Sequence, residues 1–389
     1  MTAIYPLSHL GDIPVETFLA EYWHKKPLLV RQAFSDLSLP VTADELAGLA
    51  CEEGVESRLL VETPATGDWQ LRHGPFAESV FAELPKECWT LLVQAVDHWV
   101  PEAADFVEQF RFIPSWRMDD LMISYAAKGG GVGPHYDNYD VFLLQTEGQR
   151  RWDIGGCYDE GSEFVPDKPV RILKNWQPEQ SWVLNPGDML YLPPRVGHNG
   201  VAESDGCMTY SVGYRAPQNG DMLMHFASYC AGGMTDEDRY ADPDLSLRLS
   251  SGEICHSDLE RVQSRLRRWI EDPQKISEWF GRFVTEAKYS EQTHGEFEAS
   301  TSELLSMLQQ GRSLRRTEGI RFAYSDCAGQ LQFFVHGENF DCLPSMRRLL
   351  QLLSDHNQYQ PEQLLPWCEN ADSAALLRDL IERGWLYFE

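Results

Sequence analysis

The chain of 389 residues carries a formal net charge of −27, with 33 lysines and arginines against 60 aspartates and glutamates. This acidity argues against binding of naked nucleic acid, because phosphates need basic side chains to displace their counterions. It either favours a basic partner or simply keeps the protein soluble. Nine scattered cysteines without a CxxC pair argue against a disulfide framework or a zinc knuckle. Because no apolar run approaches the roughly 20 residues of a membrane span, and the N-terminus lacks a secretory pattern, we expect a cytoplasmic protein without membrane association.

The first predicted elements mix helices and strands. Residues 13–34 are typical of a short amphipathic helix followed by a strand, LLVRQ. The stretch VTADELAGL at 41–49 begins with a Thr/Asp capping signal and predicts a helix. The apolar-rich stretch 88–100 predicts a further helix. We expect these elements to form an opening lobe.

From Phe112 onward, short apolar or alternating runs are separated by Gly, Pro and Asn. The runs are LMISYAA, HYDNYDVFLLQTEG, QRRWDIG, SWVLNPGDMLYLPP and CMTYSVGYRAP. Evenly spaced strands with turn signals between them predict an antiparallel sandwich or barrel.

After about Asn219 the pattern becomes helical. SDLERVQSRLRRWIED and KISEWFGRFVTEA have apolar residues at spacings of three and four, and such helices could pack on their own domain or form a dimer interface. A polar stretch at 289–302 resembles a linker, and the helices and the hairpin beyond it suggest a winged-helix-like module. We therefore expect a domain at 1–218 with the β core, a helical dimerisation segment at 219–300 and a winged-helix-like domain at 301–389.

Two histidines and an aspartate carry the chemistry. On a strand, His135, Asp137 and Tyr139 point to the same side, because side chains alternate between faces. The segment NPGDMLYLPPRVGHNG then delivers a distant histidine, His198. Two histidines and one carboxylate form the facial triad favoured by non-haem iron(II), which leaves coordination positions open. They also suit catalytic zinc, so the ligands alone leave the metal open.

The run from Asp119 to Trp152, with PGDMLYLPPRVGH and YSVGYRAP, resembles the bacterial Jumonji-C ribosomal oxygenases. The similarity extends to WHKKPLLVRQAF and LLVQAVDHW and so covers nearly the whole chain. The resemblance implies an α+β fold with a double-stranded β-helix (cupin or Jumonji-C jelly roll) core, helical dimerisation segment and C-terminal winged-helix-like domain. It further implies a homodimeric dioxygenase that uses Fe(II), 2-oxoglutarate and O2 to hydroxylate the β-carbon of an arginine in protein sixteen of the large ribosomal subunit.

The resemblance also assigns roles to single residues. Arg150 matches the basic position that holds the far carboxylate of 2-oxoglutarate, which a planar guanidinium can bind through two hydrogen bonds. Asp120, Tyr139 and Ser211 match positions around the substrate arginine. From the residues alone, Arg150 or Arg151 could simply cap a hairpin with a solvated charge, and Asp119 could turn inward in place of Asp120.

Two other functions fit the same residues. One is a zinc or manganese cupin, such as a sugar isomerase or a small-molecule hydrolase. The other is a non-catalytic adaptor whose acidic surface binds ribosomal proteins. Metal content, 2-oxoglutarate consumption and a mass gain on the partner distinguish these alternatives.

Overall fold

The structure, a computed structural model, describes residues 6–34, 40–289 and 300–389 and divides into two compact units, Met1–Ala216 and Pro217–Glu389. The elements of the first unit, in chain order and apart from short 3₁₀ turns, are β1 (His9–Leu10), β2 (Ile13–Pro14), α1 (Val15–Glu21), β3 (Leu28–Val30), α2 (Ala43–Leu49), β4 (Ser57–Thr63), β5 (Asp68–His73), α3 (Ser79–Ala82), β6 (Trp89–Val93), α4 (Pro101–Val107), β7 (Met118–Ala126), β8 (Val141–Glu147), β9 (Arg150–Cys157), β10 (Gln180–Leu184), β11 (Met189–Leu192), β12 (Val196–Ala202) and β13 (Cys207–Tyr214).

Two antiparallel sheets form the core of the first unit. One has the strand order β3-β11-β8-β13-β7-β6-β4-β5, and the other has the order β10-β9-β12. Leu143 and Leu190 from the large sheet share one buried cluster with Trp152 and Ile154 from the small sheet. The two sheets therefore face each other across an apolar interior, which confirms the predicted double-stranded β-helix core.

The other face of the large sheet is covered by the opening lobe. Phe18 of α1 and Phe106 of α4 belong to one buried cluster with Phe142 and Tyr210 of the sheet. The predicted helix over 41–49 is confirmed as α2, whose N-cap Thr42 forms a capping box with Glu45. This packing leaves the inner face of the sheet for the candidate site.

Two sequence predictions in this unit are wrong. The stretch 88–100 is strand β6 followed by a 3₁₀ turn, because β6 lies between β4 and β7 and its run of apolar residues is buried there. A short apolar run of this kind fits a buried helix or a buried strand equally well. The segment HYDNYD is not a strand either, since β8 begins only at Val141 and residue 135 forms an isolated bridge.

The second unit contains helices around two small sheets. Its elements are α5 (Asn219–Gly232), α6 (His256–Ile270), α7 (Pro273–Thr285), α8 (Thr301–Gln309), β14 (Leu314–Arg316), β15 (Phe322–Cys327), β16 (Gln330–Val335), β17 (Glu338–Cys342), α9 (Arg347–Asp355), β18 (Gln358–Tyr359), α10 (Pro361–Cys368), α11 (Ala371–Glu382) and β19 (Leu386–Phe388). Nowhere in the described ranges is a helix long and apolar enough to cross a membrane.

The predicted hairpin of the second unit is confirmed, because Cys327 pairs with Gln330 across the turn. Helix α7 packs directly on this hairpin: a side chain on Gly281 would lie 2.3 Å from the ring of Phe334. The predicted division of the region into 219–300 and 301–389 stays a prediction. The predicted linker at 289–302 falls largely outside the described residues, which omit 290–299.

Candidate metal centre

Backbone pairing brings the two histidines together. The His135 N–H donates to the His198 carbonyl at 2.9 Å, and the His198 N–H donates back at 2.8 Å. The imidazole rings consequently lie with centroids 4.2 Å apart. Residues far apart in sequence are thus held by an isolated bridge between β12 and the segment before β8.

The protein fixes which nitrogen of each ring is available. Nδ1 of His135 lies 2.9 Å from the Gly133 carbonyl, and Nδ1 of His198 lies 2.9 Å from the Val196 carbonyl. Because a carbonyl only accepts hydrogen bonds, each Nδ1 carries the proton and each Nε2 keeps its lone pair. Burial, together with the neighbouring His135, lowers the pKa of His198 to about 4, which keeps its ring neutral and ready to bind a metal.

Asp137 completes the cluster. Its Oδ2 lies 3.6 Å from Nε2 of His198, and ligand atoms of His135, Asp137 and His198 all lie within 4.8 Å of one another. Two imidazole nitrogens and one carboxylate oxygen at this spacing suit iron(II) or zinc, with further positions open. The predicted convergence therefore occurs, although His135 and Asp137 reach it from an isolated bridge and a loop rather than from a strand, opposite His198 on β12.

The loop that carries Asp137 and Tyr139 is anchored at both ends. The Arg195 N–H donates to the Asp137 carbonyl at 2.6 Å. At the other end the buried Asp140 carboxylate accepts a hydrogen bond of 2.6 Å from the Tyr191 hydroxyl and lies 3.0 Å from Nε2 of His24. The irregular backbone between these anchors aims the Asp137 side chain at the histidines.

Arg150 lies on the inner face of the small sheet. In the register of β9 with β12, Arg150, Trp152 and Ile154 pair with Ala202, Gly200 and His198, so all six residues share one face. The Arg150 guanidinium is 5.8 Å from the Trp152 ring, which lies 5.9 Å from the ring of His198. Gly200 is required opposite the indole, because a Cβ there would lie 2.6 Å from it.

The charge of Arg150 is buried and incompletely satisfied. The residue is 4% exposed, and Nη1 makes a long hydrogen bond of 3.5 Å to the Gly200 carbonyl. Within the part of the chain that the structure describes, its Nε and Nη2 have no hydrogen-bond partner. A buried cation without an acceptor is costly unless a ligand supplies one. A ligand carboxylate would meet this requirement. The burial of Arg150 does not fit a solvated hairpin charge.

The predicted substrate-contacting residues lie on the large sheet and the loop. Asp120 is 2% exposed and Ser211 6%, and the register of β13 with β7 and β8 places both on the inner face. The Tyr139 ring is 42% exposed, but its hydroxyl donates to Asp137. Desolvation of this hydroxyl and the nearby carboxylates of Asp137 and Asp120 raise the pKa of Tyr139.

Two residues beside Asp120 were not expected from the sequence. Nε2 of Gln94 donates to Oδ2 of Asp120 at 2.8 Å, and Nη2 of Arg58 donates to Oε1 of Gln94 at 3.0 Å. Gln94 lies in the stretch predicted as a helix, so its place next to β7 could not be anticipated. A strand assignment for 89–93 would have placed Gln94 on the same face as Arg58.

The fold and this cluster define a protein of the JmjC-domain class. The family described as JmjC domain matches residues 105–222, and the family described as ROXA-like winged helix matches residues 268–387.

The relatives narrow the class. The chain is 34% identical to the ribosomal protein uL16 3-hydroxylase of Escherichia coli over 96% of this chain and 97% of that protein. It is 35% identical to a probable ribosomal oxygenase of Haemophilus influenzae, over 88% of this chain and 86% of the relative. A solved E. coli ribosomal oxygenase, in complex with cobalt and 2-oxoglutarate, superimposes with a TM-score of 0.86 at 33% identity, covering 98% of this chain and 99% of that one. The chain belongs to the JmjC ribosomal oxygenase family.

Proposed function

We propose that the protein is an Fe(II)- and 2-oxoglutarate-dependent oxygenase that hydroxylates the β-carbon of an arginine in a large-subunit ribosomal protein. The observation that carries the proposal is the pairing of a His-Asp-His cluster with a buried arginine, Arg150, whose Nε and Nη2 have no hydrogen-bond partner within the described residues. A ligand with two carboxylates could bind the metal with one of them and accept hydrogen bonds from Arg150 with the other. The solved relative in complex with cobalt and 2-oxoglutarate supports this choice of ligand.

His135, Asp137 and His198 would hold the metal, and Arg150 would bind the far carboxylate of 2-oxoglutarate. Iron(II), 2-oxoglutarate and dioxygen supply the two-electron oxidation that replaces a carbon-bound hydrogen by hydroxyl, with succinate and carbon dioxide as co-products. The protein contributes placement: the Nδ1 hydrogen bonds orient both imidazoles before metal binds, so little reorganisation accompanies binding. The Trp152 ring lies 5.8 Å from the Arg150 guanidinium and 5.9 Å from the His198 ring, where it would shield bound 2-oxoglutarate from water.

Asp120, Tyr139 and Ser211 would bind the substrate arginine. A guanidinium needs a carboxylate and further acceptors around its planar fork, and Asp120 offers a buried negative charge. Desolvation and the charges of Asp137 and Asp120 raise the pKa of Tyr139, so its hydroxyl would stay protonated and available to donate to the substrate. Ser211 adds a hydroxyl on the same face as Asp120.

The substrate protein would be basic. Ribosomal proteins of this kind carry many lysines and arginines, and a chain with a net charge of −27 attracts them by its overall field. The name of the E. coli relative, a ribosomal protein uL16 3-hydroxylase, supports a large-subunit target. Action on such a protein would take place in the cytoplasm.

The test incubates the purified protein with iron(II), 2-oxoglutarate and isolated large-subunit ribosomal proteins, and then measures intact masses. We expect one ribosomal protein to gain one oxygen atom, which fragmentation assigns to the β-carbon of an arginine. A His135→Ala variant should keep the fold but lose both the mass gain and 2-oxoglutarate turnover. If the His135→Ala variant still consumes 2-oxoglutarate, the assignment of the metal triad is wrong. If the protein binds a ribosomal protein that gains no oxygen, the non-catalytic adaptor is favoured.

We also propose that the protein is a homodimer formed through α5, α6 and the segment between them. Leu259, Val262, Leu266 and Ile270 of α6 share one face and are between 44% and 59% exposed. The polar face of α6 is already engaged, because Arg261 and Arg268 pair with aspartates of the preceding segment. A second copy of this chain would cover the apolar face, since exposed apolar residues grouped on one helix face often mark a protein–protein contact.

A further inference from the structure

A hydrogen-bonded relay ends on Asp120. It starts at Arg58 on β4, passes through Gln94 at the end of β6 and reaches Asp120 on β7, with donor–acceptor distances of 3.0 and 2.8 Å. These three strands are consecutive neighbours in the large sheet. Arg58 and Gln94 are half-buried and Asp120 is buried, so burial increases along the relay toward Asp120.

The relay has one permitted direction. Arg58 offers only donors, so it must face the oxygen of the Gln94 amide, and the amide nitrogen then faces Asp120. With the Gln94 amide reversed, its NH2 group would face the Arg58 guanidinium, so that two donors meet. Its oxygen would face the Asp120 carboxylate, so that two acceptors meet. Gln94 therefore presents a hydrogen to the carboxylate and holds Oδ2 at a fixed position.

The other oxygen of Asp120 lies beside Gly213. A Cβ at residue 213 would be 3.7 Å from Oδ1, so any longer side chain would cover that oxygen. With Oδ2 bonded to Gln94 and Oδ1 beside Gly213, the hydrogen bond from Gln94 favours one orientation of the carboxylate across the inner face. A planar guanidinium needs such a defined partner, whereas a flexible ammonium does not.

We infer that Gln94 and Arg58 are positioning residues that orient the Asp120 carboxylate and thereby select a guanidinium side chain as substrate. This inference rests on the proposed function, because it assumes that Asp120 binds the substrate arginine. Among the described residues, neither Arg58 nor Gln94 is hydrogen-bonded to a residue of the metal cluster, so we expect their effect to concern the protein substrate.

The test is a double-mutant cycle with Gln94→Leu and Asp120→Asn, read as KM for the ribosomal protein substrate. We expect Gln94→Leu to raise KM roughly tenfold to a hundredfold, the effect of one hydrogen bond to a charged group. The affinities for iron(II) and for 2-oxoglutarate should stay unchanged. In the Asp120→Asn background, Gln94→Leu should have little further effect, because the charge that pairs with the substrate guanidinium is already gone, although an amide oxygen remains to accept from Gln94.

Conservative variants give the matched controls. Arg58→Lys keeps a donor toward Oε1 of Gln94 and should stay close to wild type, whereas Arg58→Met should raise KM by less than Gln94→Leu does. If Gln94→Leu folds poorly, Gln94→Asn shortens the same amide by one methylene and should show the same rise. Additive effects in the cycle, or a loss of metal affinity that parallels the rise in KM, would overturn the inference.

A crystal structure of the Gln94→Leu protein provides a readout that does not depend on activity. We expect the Asp120 carboxylate to rotate from its wild-type position; an unmoved carboxylate would overturn the inference even if the wild-type enzyme hydroxylates arginine. Failure of the proposed function looks different, since no ribosomal protein would then gain oxygen with the wild-type enzyme.

Discussion

Arg150 and Arg151 are adjacent on β9 but serve opposite sides of the sheet. Arg150 faces the interior and lacks acceptors for two of its nitrogens within the described chain. Arg151 faces outward, where its guanidinium pairs with Asp153 at 3.2 Å and with Glu203 at 2.5 Å. The guanidinium of Arg150 thus lacks hydrogen-bond partners for two nitrogens, whereas that of the neighbouring Arg151 forms two ion pairs.

This contrast gives a matched pair of substitutions. We expect Arg150→Met to raise KM for 2-oxoglutarate roughly tenfold to a hundredfold, because a charge-assisted hydrogen bond contributes about 1.5–3 kcal/mol. Arg151→Met removes a partly exposed ion pair and should leave that KM unchanged. Steady-state assays of both variants measure the effect; equal KM values for the two would exclude Arg150 as the carboxylate-binding residue.

The sequence predicts those site residues whose type and spacing are typical of a metal centre. The convergence of His135, Asp137 and His198 could be expected, although the backbone that produces it is a bridge and a loop rather than a strand. Gln94 could not be expected, because an amide has no distinctive pattern and its neighbours favoured a helix. Its position depends on the pairing of β6 with β4 and β7, which only the tertiary structure specifies.

At the level of elements, the segment PGDMLYLPP gains a structural explanation. Gly187 has a φ of +94°, which favours glycine and allows the chain to turn from β10 into β11. Asp188 accepts hydrogen bonds of 3.0 Å from the backbone N–H groups of Asn185 and Gln32, and Tyr191 reaches Asp140 through its hydroxyl. The segment therefore joins β10, β3 and the loop that carries the metal ligand.

Asp188 makes the stability of this junction depend on pH. Burial disfavours its charge, but the N–H groups of Asn185 and Gln32 and the Arg31 guanidinium outweigh that effect and lower the pKa of Asp188. A carboxyl whose folded pKa is depressed adds stability above its unfolded pKa of about 3.9, and that stability is lost as pH falls through the folded value. We expect Asp188→Asn to lose about 1–3 kcal/mol of unfolding free energy at neutral pH.

The measurement is urea unfolding of wild type and Asp188→Asn across a pH series. The difference in unfolding free energy between wild type and Asp188→Asn should stay constant well above about pH 4. It should become smaller in more acidic buffer, where Asp188 of the wild type is protonated and loses its charge. A deficit that persists unchanged at the acidic end would mean that the charge of Asp188 is not what stabilises the turn.

Predictions of elements succeeded where periodicity or a capping signal was clear, as in α2, and failed for the short apolar run of β6, which fits a helix or a strand equally well. The helices α6 and α7, of 15 and 13 residues, show their apolar spacing over several turns. Strand β6 has only five residues and is apolar on both faces, so its alternation is hidden by burial. Its pairing with β4 and β7, which the local sequence does not encode, determines that this segment is a strand.

At the scale of the whole molecule, charge and apolar surface have different consequences. The net charge of −27 makes two copies repel each other, and this repulsion is screened by salt. Leu259 and Leu266 of α6 are more than half exposed, so their burial against a second copy would have to overcome that repulsion. An association of this kind should strengthen, rather than weaken, as the salt concentration rises.

Leu266→Glu tests the proposed dimer. In a two-fold assembly each substitution acts twice, and removing on the order of 1–2 kcal/mol of apolar burial per copy weakens the dimer roughly thirtyfold to a thousandfold. Light scattering after size exclusion should show a wild-type dimer and a variant monomer, while Leu343→Glu, at a 49% exposed leucine outside α5 and α6, should remain a dimer. A monomeric wild type, or a dimer that dissociates in high salt, would contradict an apolar interface, because salt screens the repulsion between acidic copies and leaves apolar burial intact.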